Sequence, residues 1–88
     1  MNLKDIQRVD IYTTQTCGHC VKAKEYLRAN GIDYQEYGVN TDVTKEDINA
    51  RLQTMGLNIQ VRTVPQIFGQ VNGEWVYIGG RSDLEKLT

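Results

Sequence analysis

Between Arg8 and Thr13 polar residues are interleaved with Val9, Ile11 and the aromatic Tyr12, and this β-branched, aromatic run predicts a first strand. Thr14-Gln15-Thr16 interrupts it. From Cys17 to Asn30 the period changes to that of a helix: Val21, Ala23, Tyr26 and Leu27 form a stripe for burial, while Lys22, Lys24, Glu25 and Arg28 are left for solvent. Gly31 is placed to stop that helix. Ile32 to Gly38, with Tyr34 and Tyr37, reads as a second strand. Thr44-Lys45-Glu46-Asp47 has the form of a capping box, and Ile48, Leu52 and Met55 follow at i, i+4, i+7 before Gly56, so a second amphipathic helix is expected. Leu57 to Arg62 reads as a packed connection without regular structure. Pro65 to Val71 and Glu74 to Ile78 then flank Asn72-Gly73, the strongest short-range signal for a β-hairpin. Gly79-Gly80-Arg81 leads into Ser82-Asp83-Leu84-Glu85, read as a second capping box opening a short last helix.

The order is βαβαββα. Parallel strands joined by a right-handed helical crossover, followed by an antiparallel hairpin, give a mixed four-stranded sheet flanked by three helices, an α/β fold. Eighty-eight residues, 40% of them hydrophobic, suffice for one domain spanning 1–88 with one modest core. Ten basic against eleven acidic residues leave a net charge of −1, which argues against nucleic acid or an anionic membrane as partner. Met1 to Gln7 lacks the apolar stretch of a signal peptide, and nowhere do roughly 18 apolar residues run together as a membrane span requires. A cytoplasmic chain is therefore expected.

Both cysteines and the one histidine fall in Cys17-Gly18-His19-Cys20, at the junction of the first strand and the first helix. In a reducing compartment a lone C-x-x-C is catalytic or metal-binding more often than a structural staple, and in this βαβ context it reads as a thioredoxin-like redox motif. Structural zinc takes four ligands, and two cysteines with one histidine do not supply them, so no metal is expected. At the start of a helix, unpaired N–H groups and the positive end of the dipole favour a thiolate at Cys17, lowering its pKa from the free-thiol value of about 8.5 and making it the nucleophile. Cys20, one turn further in, is placed to resolve a mixed disulfide on Cys17. His19 either adds positive charge near the Cys17 sulfur or stands as an exposed imidazole of small effect.

Ile11-Tyr12-Thr13, Thr16-Cys17-Gly18-His19-Cys20, Arg62-Thr63-Val64-Pro65-Gln66-Ile67-Phe68 and Gly79-Gly80-Arg81-Ser82-Asp83-Leu84, in that order, resemble the glutaredoxins over nearly the whole chain. The short last helix is similar to that of compact members, including those encoded by bacteriophages. The resemblance implies a thioredoxin-like fold and a glutathione-dependent oxidoreductase that reduces protein disulfides and glutathione mixed disulfides, with no tightly bound cofactor. It implies a monomer whose partners are glutathione and disulfide-containing or glutathionylated proteins, ribonucleotide reductase among them. It implies a cis bond before Pro65, with Thr63, Val64 and Pro65 presenting backbone to an extended glutathione. Gly80, Ser82 and Asp83 would meet the γ-glutamyl end, although Ser82 and Asp83 are also ordinary capping residues.

The chain departs from the family pattern in three places. Gly18-His19 replaces the commoner Pro-Tyr and looks like the isomerase motif, which predicts a potential toward the oxidising end of the range from about −230 to −180 mV. Thr14 stands where the family often has a lysine for a glutathione carboxylate, and Arg62 is the candidate replacement. Gly18 also makes the loop more permissive, which keeps open a [2Fe-2S] carrier held by Cys17 of two chains and two glutathiones. A thioredoxin-like reductase recycled without glutathione is the other alternative. Trp75 and the long connection before Thr63 receive no role from the sequence.

Overall fold

The computed structural model describes residues 1–87. Its elements are β1 (Arg8–Thr13), α1 (Gly18–Ala29), β2 (Tyr34–Gly38), α2 (Lys45–Thr54), β3 (Gln66–Val71), β4 (Glu74–Gly79) and α3 (Arg81–Glu85). The strands lie in the order β2-β1-β3-β4, with β2 parallel to β1 and the other pairs antiparallel. The expected βαβαββα arrangement, a thioredoxin-like fold, is what the chain adopts.

Central strand β1 has a core on each face. Val9 and Ile11 point toward α1 and α3, packing with Ala23, Leu27, Ile67 and Leu84, all with no exposed surface. Tyr12 points the other way, with Val39, Ile48, Leu52, Val61 and Phe68 beneath α2. Alternation along a strand puts successive residues on opposite faces, so a strand covered on both sides must bury polar positions too. Asp10 is the case here: it is 9% exposed, and Arg51 of α2 reaches it at 2.8 Å. The same guanidinium donates to the Tyr12 hydroxyl at 2.9 Å and lies over the rings of Phe68 and Trp75, at 4.3 and 4.9 Å from their centroids. Burial opposes this charge, but the bonds to Asp10 and Tyr12 outweigh it and raise the Arg51 pKa above its ordinary value. Trp75 thereby acquires a role: it closes the outer side of a cation that a buried carboxylate needs.

One element is added to those expected and three local expectations change. A 3₁₀ turn at Leu3–Asp5 precedes β1 and buries Leu3 and Ile6 in the first core, because a short apolar pair is enough to anchor a chain end. In α1 the buried stripe is Cys20, Ala23 and Leu27, while Val21 is 46% exposed and Tyr26 only half-buried. The stripe is rotated by one residue because Cys20 behaves as a small apolar group. Lys24, expected in solvent, pairs with Glu36 of β2 at 2.9 Å. The last helix begins at Arg81 with Gly80 as its N-cap, two residues earlier than a Ser82 cap would place it: the Asp83 carboxylate accepts from Gly80 N–H at 3.0 Å, and Glu85 pairs with Arg81 instead.

The connection after α2 is packed as expected, with Val61 buried and its N–H donating to Asn49 Oδ1 at 2.7 Å. In the hairpin Asn72 and Gly73 both take positive φ (53° and 81°), the pair a tight two-residue turn requires.

Candidate active site

Cys17 is the N-cap of α1, in extended conformation, and its sulfur accepts from the Cys20 N–H at 3.1 Å. This is an ordinary capping bond with sulfur in place of the usual oxygen, and a bond of that kind strengthens when the acceptor is a thiolate. Cys17 and Cys20 are joined as a disulfide, with Cα atoms 5.2 Å apart. Cys17 is half-buried and Cys20 only 1% exposed, so an incoming thiol meets Cys17 first.

Facing Cys17 is the turn before β3. The Val64-Pro65 bond is cis, and the Val64 carbonyl oxygen lies 3.6 Å from Cys17 Sγ. Val64 N–H donates to no group among the described residues. A relay that the sequence did not reveal holds this turn: Tyr77 of β4 donates to Gln66 Oε1, and Gln66 Nε2 donates to the Thr63 carbonyl at 2.9 Å. Gln66 is 6% exposed, and burial, with the nearby Asp83 charge in second place, pushes the Tyr77 phenol above its ordinary pKa. The phenol therefore stays a donor at any physiological pH.

A cleft of about 380 Å³ runs from His19 past Thr63, Val64 and Pro65 to Gly80, Arg81, Ser82 and Glu85. Five of the six residues expected to meet glutathione thus line one cavity. Asp83 is the exception, turned back onto the Gly80 N–H beneath the cleft. Gly79 permits this close turn: its φ is 118°, and a Cβ there would stand 2.9 Å from Asp83 Cγ. Arg62 is exposed and does not line the cleft, while Thr14 lies in a different groove. Arg81 is the cation that lines it, donating from one terminal nitrogen to His19 Nδ1 at 3.1 Å and from Nε to Glu85 at 3.1 Å. A guanidinium only donates, so in this contact His19 Nδ1 is the acceptor. Arg81 thereby brings a positive charge to the end of the cleft that His19 lines.

The two cysteines themselves line a separate groove, of about 290 Å³. Here Glu36 Oε2 accepts from the Thr13 hydroxyl at 2.6 Å and from Lys24 Nζ at 2.9 Å. The Thr13 bond, then the Lys24 bond, hold the Glu36 carboxyl below its ordinary pKa of 4.5. A carboxyl depressed in the folded state contributes stability above its unfolded pKa, and that contribution is lost as pH falls through the folded value. Glu36→Gln should therefore melt below the wild type at pH 7, with a narrower gap at pH 3. A gap of equal size at both pH values in thermal melts followed by circular dichroism would count against this ion pair.

Known proteins are similar to this chain throughout its length. The glutaredoxin family model matches residues 9–76. Glutaredoxin 3 of Escherichia coli K12 is 34% identical over 79 residues, which cover 90% of this chain and 83% of that one. Among solved structures, glutaredoxin 1 from Francisella tularensis, complexed with cacodylate, superposes with a TM-score of 0.67 at 30% identity, covering 90% of this chain and 88% of that one. A buckwheat glutaredoxin-glutathione complex superposes at 0.61 with 25% identity, covering 89% and 64%.

Proposed function

Because the chain belongs to the glutaredoxin family of thiol-disulfide oxidoreductases, we propose that glutathione is its electron donor, Cys17 its nucleophile and Cys20 its resolving thiol. The observation that carries this is the Cys17 sulfur, capped by the Cys20 N–H at the mouth of α1 and facing the carbonyl of Val64, a residue that itself lines the cleft.

In the forward direction the Cys17 thiolate attacks one sulfur of a protein disulfide, forming a mixed disulfide and expelling the other sulfur as a thiolate. Cys20, after losing its proton, attacks Cys17 Sγ, closes the Cys17–Cys20 disulfide and releases the reduced protein. One glutathione thiolate then opens this bond at Cys17, the exposed sulfur of the pair, and leaves Cys20 reduced. A second glutathione attacks the first at its sulfur, so that oxidised glutathione departs and Cys17 is again a thiolate. Two electrons move in each cycle. For a glutathionylated protein, Cys17 takes the glutathionyl group directly and Cys20 is not needed.

The cleft supports glutathione as ligand in three ways. Val64 offers an unused N–H to an extended peptide, and the Tyr77–Gln66–Thr63 relay keeps that turn in position without a ligand. Gly80 and Ser82 border the far end, where Asp83, itself outside the cleft lining, fixes the Gly80 backbone through its N–H. The buckwheat relative is a complex with glutathione. We further propose that residues 1–88 act as one monomeric domain in the cytoplasm, where glutathione is kept reduced, on disulfide-containing or glutathionylated proteins such as ribonucleotide reductase.

Turnover of a glutathionylated peptide, coupled through glutathione reductase to NADPH oxidation, tests the donor. Steady turnover that depends on glutathione is expected, with no NADPH oxidation when thioredoxin reductase replaces the glutathione system. The opposite pattern would assign the chain to a thioredoxin-type cycle.

A further inference from the structure

One arginine, Arg81, lines the cleft. We infer that Arg81 recognises a carboxylate of the thiol co-substrate, an inference that rests on the glutathione reading above. Three observations carry it. Thr14 lies in the separate groove that the two cysteines line and Arg62 lies outside the cleft, so neither brings charge to it. Arg81 lines the cleft and is held at two points, by His19 of α1 and by Glu85 one turn along α3. A guanidinium has five N–H donors, and these two contacts use one on Nε and one on a terminal nitrogen.

Three donors are left, two of them on the nitrogen that has no partner among the described residues. A carboxylate entering the cleft can take them without displacing either support. The side chain is 32% exposed, so its charge is only partly screened, and its two supports remove much of the rotamer freedom a binding residue would otherwise lose. Lysine at this position would bring the same charge but not a planar fork able to serve His19, Glu85 and a ligand together.

Glutathione has two carboxylates, glycyl and γ-glutamyl, and the experiment separates them. The probes are S-methylglutathione, its glycyl ethyl ester and an analogue with 4-aminobutyryl in place of γ-glutamyl, each titrated by calorimetry into the oxidised wild-type, Arg81→Gln and Arg81→Lys proteins. Arg81→Gln is expected to weaken S-methylglutathione by about five- to tenfold, with Arg81→Lys between the two. That penalty should vanish for whichever analogue lacks the carboxylate Arg81 holds, a selectivity that loss of a merely structural tie between α1 and α3 would not produce. Equal affinity in wild type and Arg81→Gln, or one undiminished penalty for all three probes, would overturn the inference while leaving glutathione as donor. Failure of the wild type to bind any probe or to turn over glutathione would instead remove the donor assignment, and this inference with it.

Discussion

Cys17→Ser will abolish turnover of both protein disulfides and glutathionylated peptides, lowering each by at least about 10³-fold, because no other thiol can start the exchange. Cys20→Ser will separate the two reactions. Transfer of a glutathionyl group needs one sulfur in the protein and should stay within about threefold of wild type, whereas reduction of a protein disulfide should fall by about 10- to 100-fold as the mixed disulfide waits for an outside thiol. The asymmetry comes from position. Cys17 is half-buried at the helix mouth, while Cys20 is 1% exposed and its N–H is already committed to the Cys17 sulfur. Parallel assays on insulin and on a glutathionylated peptide read the two rates. If Cys20→Ser lost both equally, Cys20 would have to be a nucleophile in its own right, contrary to its burial.

Phe68→Ala will destabilise the fold by about 3–5 kcal/mol, a large part of the 5–15 kcal/mol typical of a domain, and lower the melting temperature by roughly 15–30 °C. The ring has no exposed surface and is the centre of the core beneath α2. It meets Tyr12 edge-on with centroids 5.7 Å apart, Tyr77 at 5.2 Å and the Arg51 guanidinium at 4.3 Å. Its removal thus leaves a cavity and also uncovers one side of the cation that neutralises Asp10. Calorimetry measures the loss; a value under about 1 kcal/mol would mean that neighbouring side chains refill the site. Because Phe68 lies two residues beyond Gln66, which holds the Thr63 carbonyl, the variant should also loosen the turn that faces Cys17.

Much of this molecule could be read along the chain. The strand at Arg8–Thr13, the Asn72-Gly73 turn and the Thr44–Asp47 cap are all local: side-chain period, turn chemistry and capping act over two to four residues and leave their signature in order. The same holds for the place of Cys17 at the start of α1, on which its proposed role as nucleophile rests. Local reading failed where two local solutions competed. Ser82 and Gly80 are both acceptable caps, and the choice fell to Gly80 because Asp83 reaches back to its N–H. Val21 and Cys20 are adjacent apolar candidates for one helical stripe, and packing against β1 and β3 selected the sulfur.

The succession of elements and the dithiol at a strand-to-helix junction, from which the order of its two sulfurs is proposed, were thus legible along the chain. The long-range contacts came from the tertiary fold: Arg81 against His19 across 62 residues, Arg51 against Asp10 across 41, and Tyr77 holding the Thr63 turn through Gln66. The physical reason is that these are contacts between long polar side chains brought together by strand order and helix docking. No periodicity records them, because a surface arginine and a site arginine obey the same local rules until the sheet places one of them at the rim of a cleft.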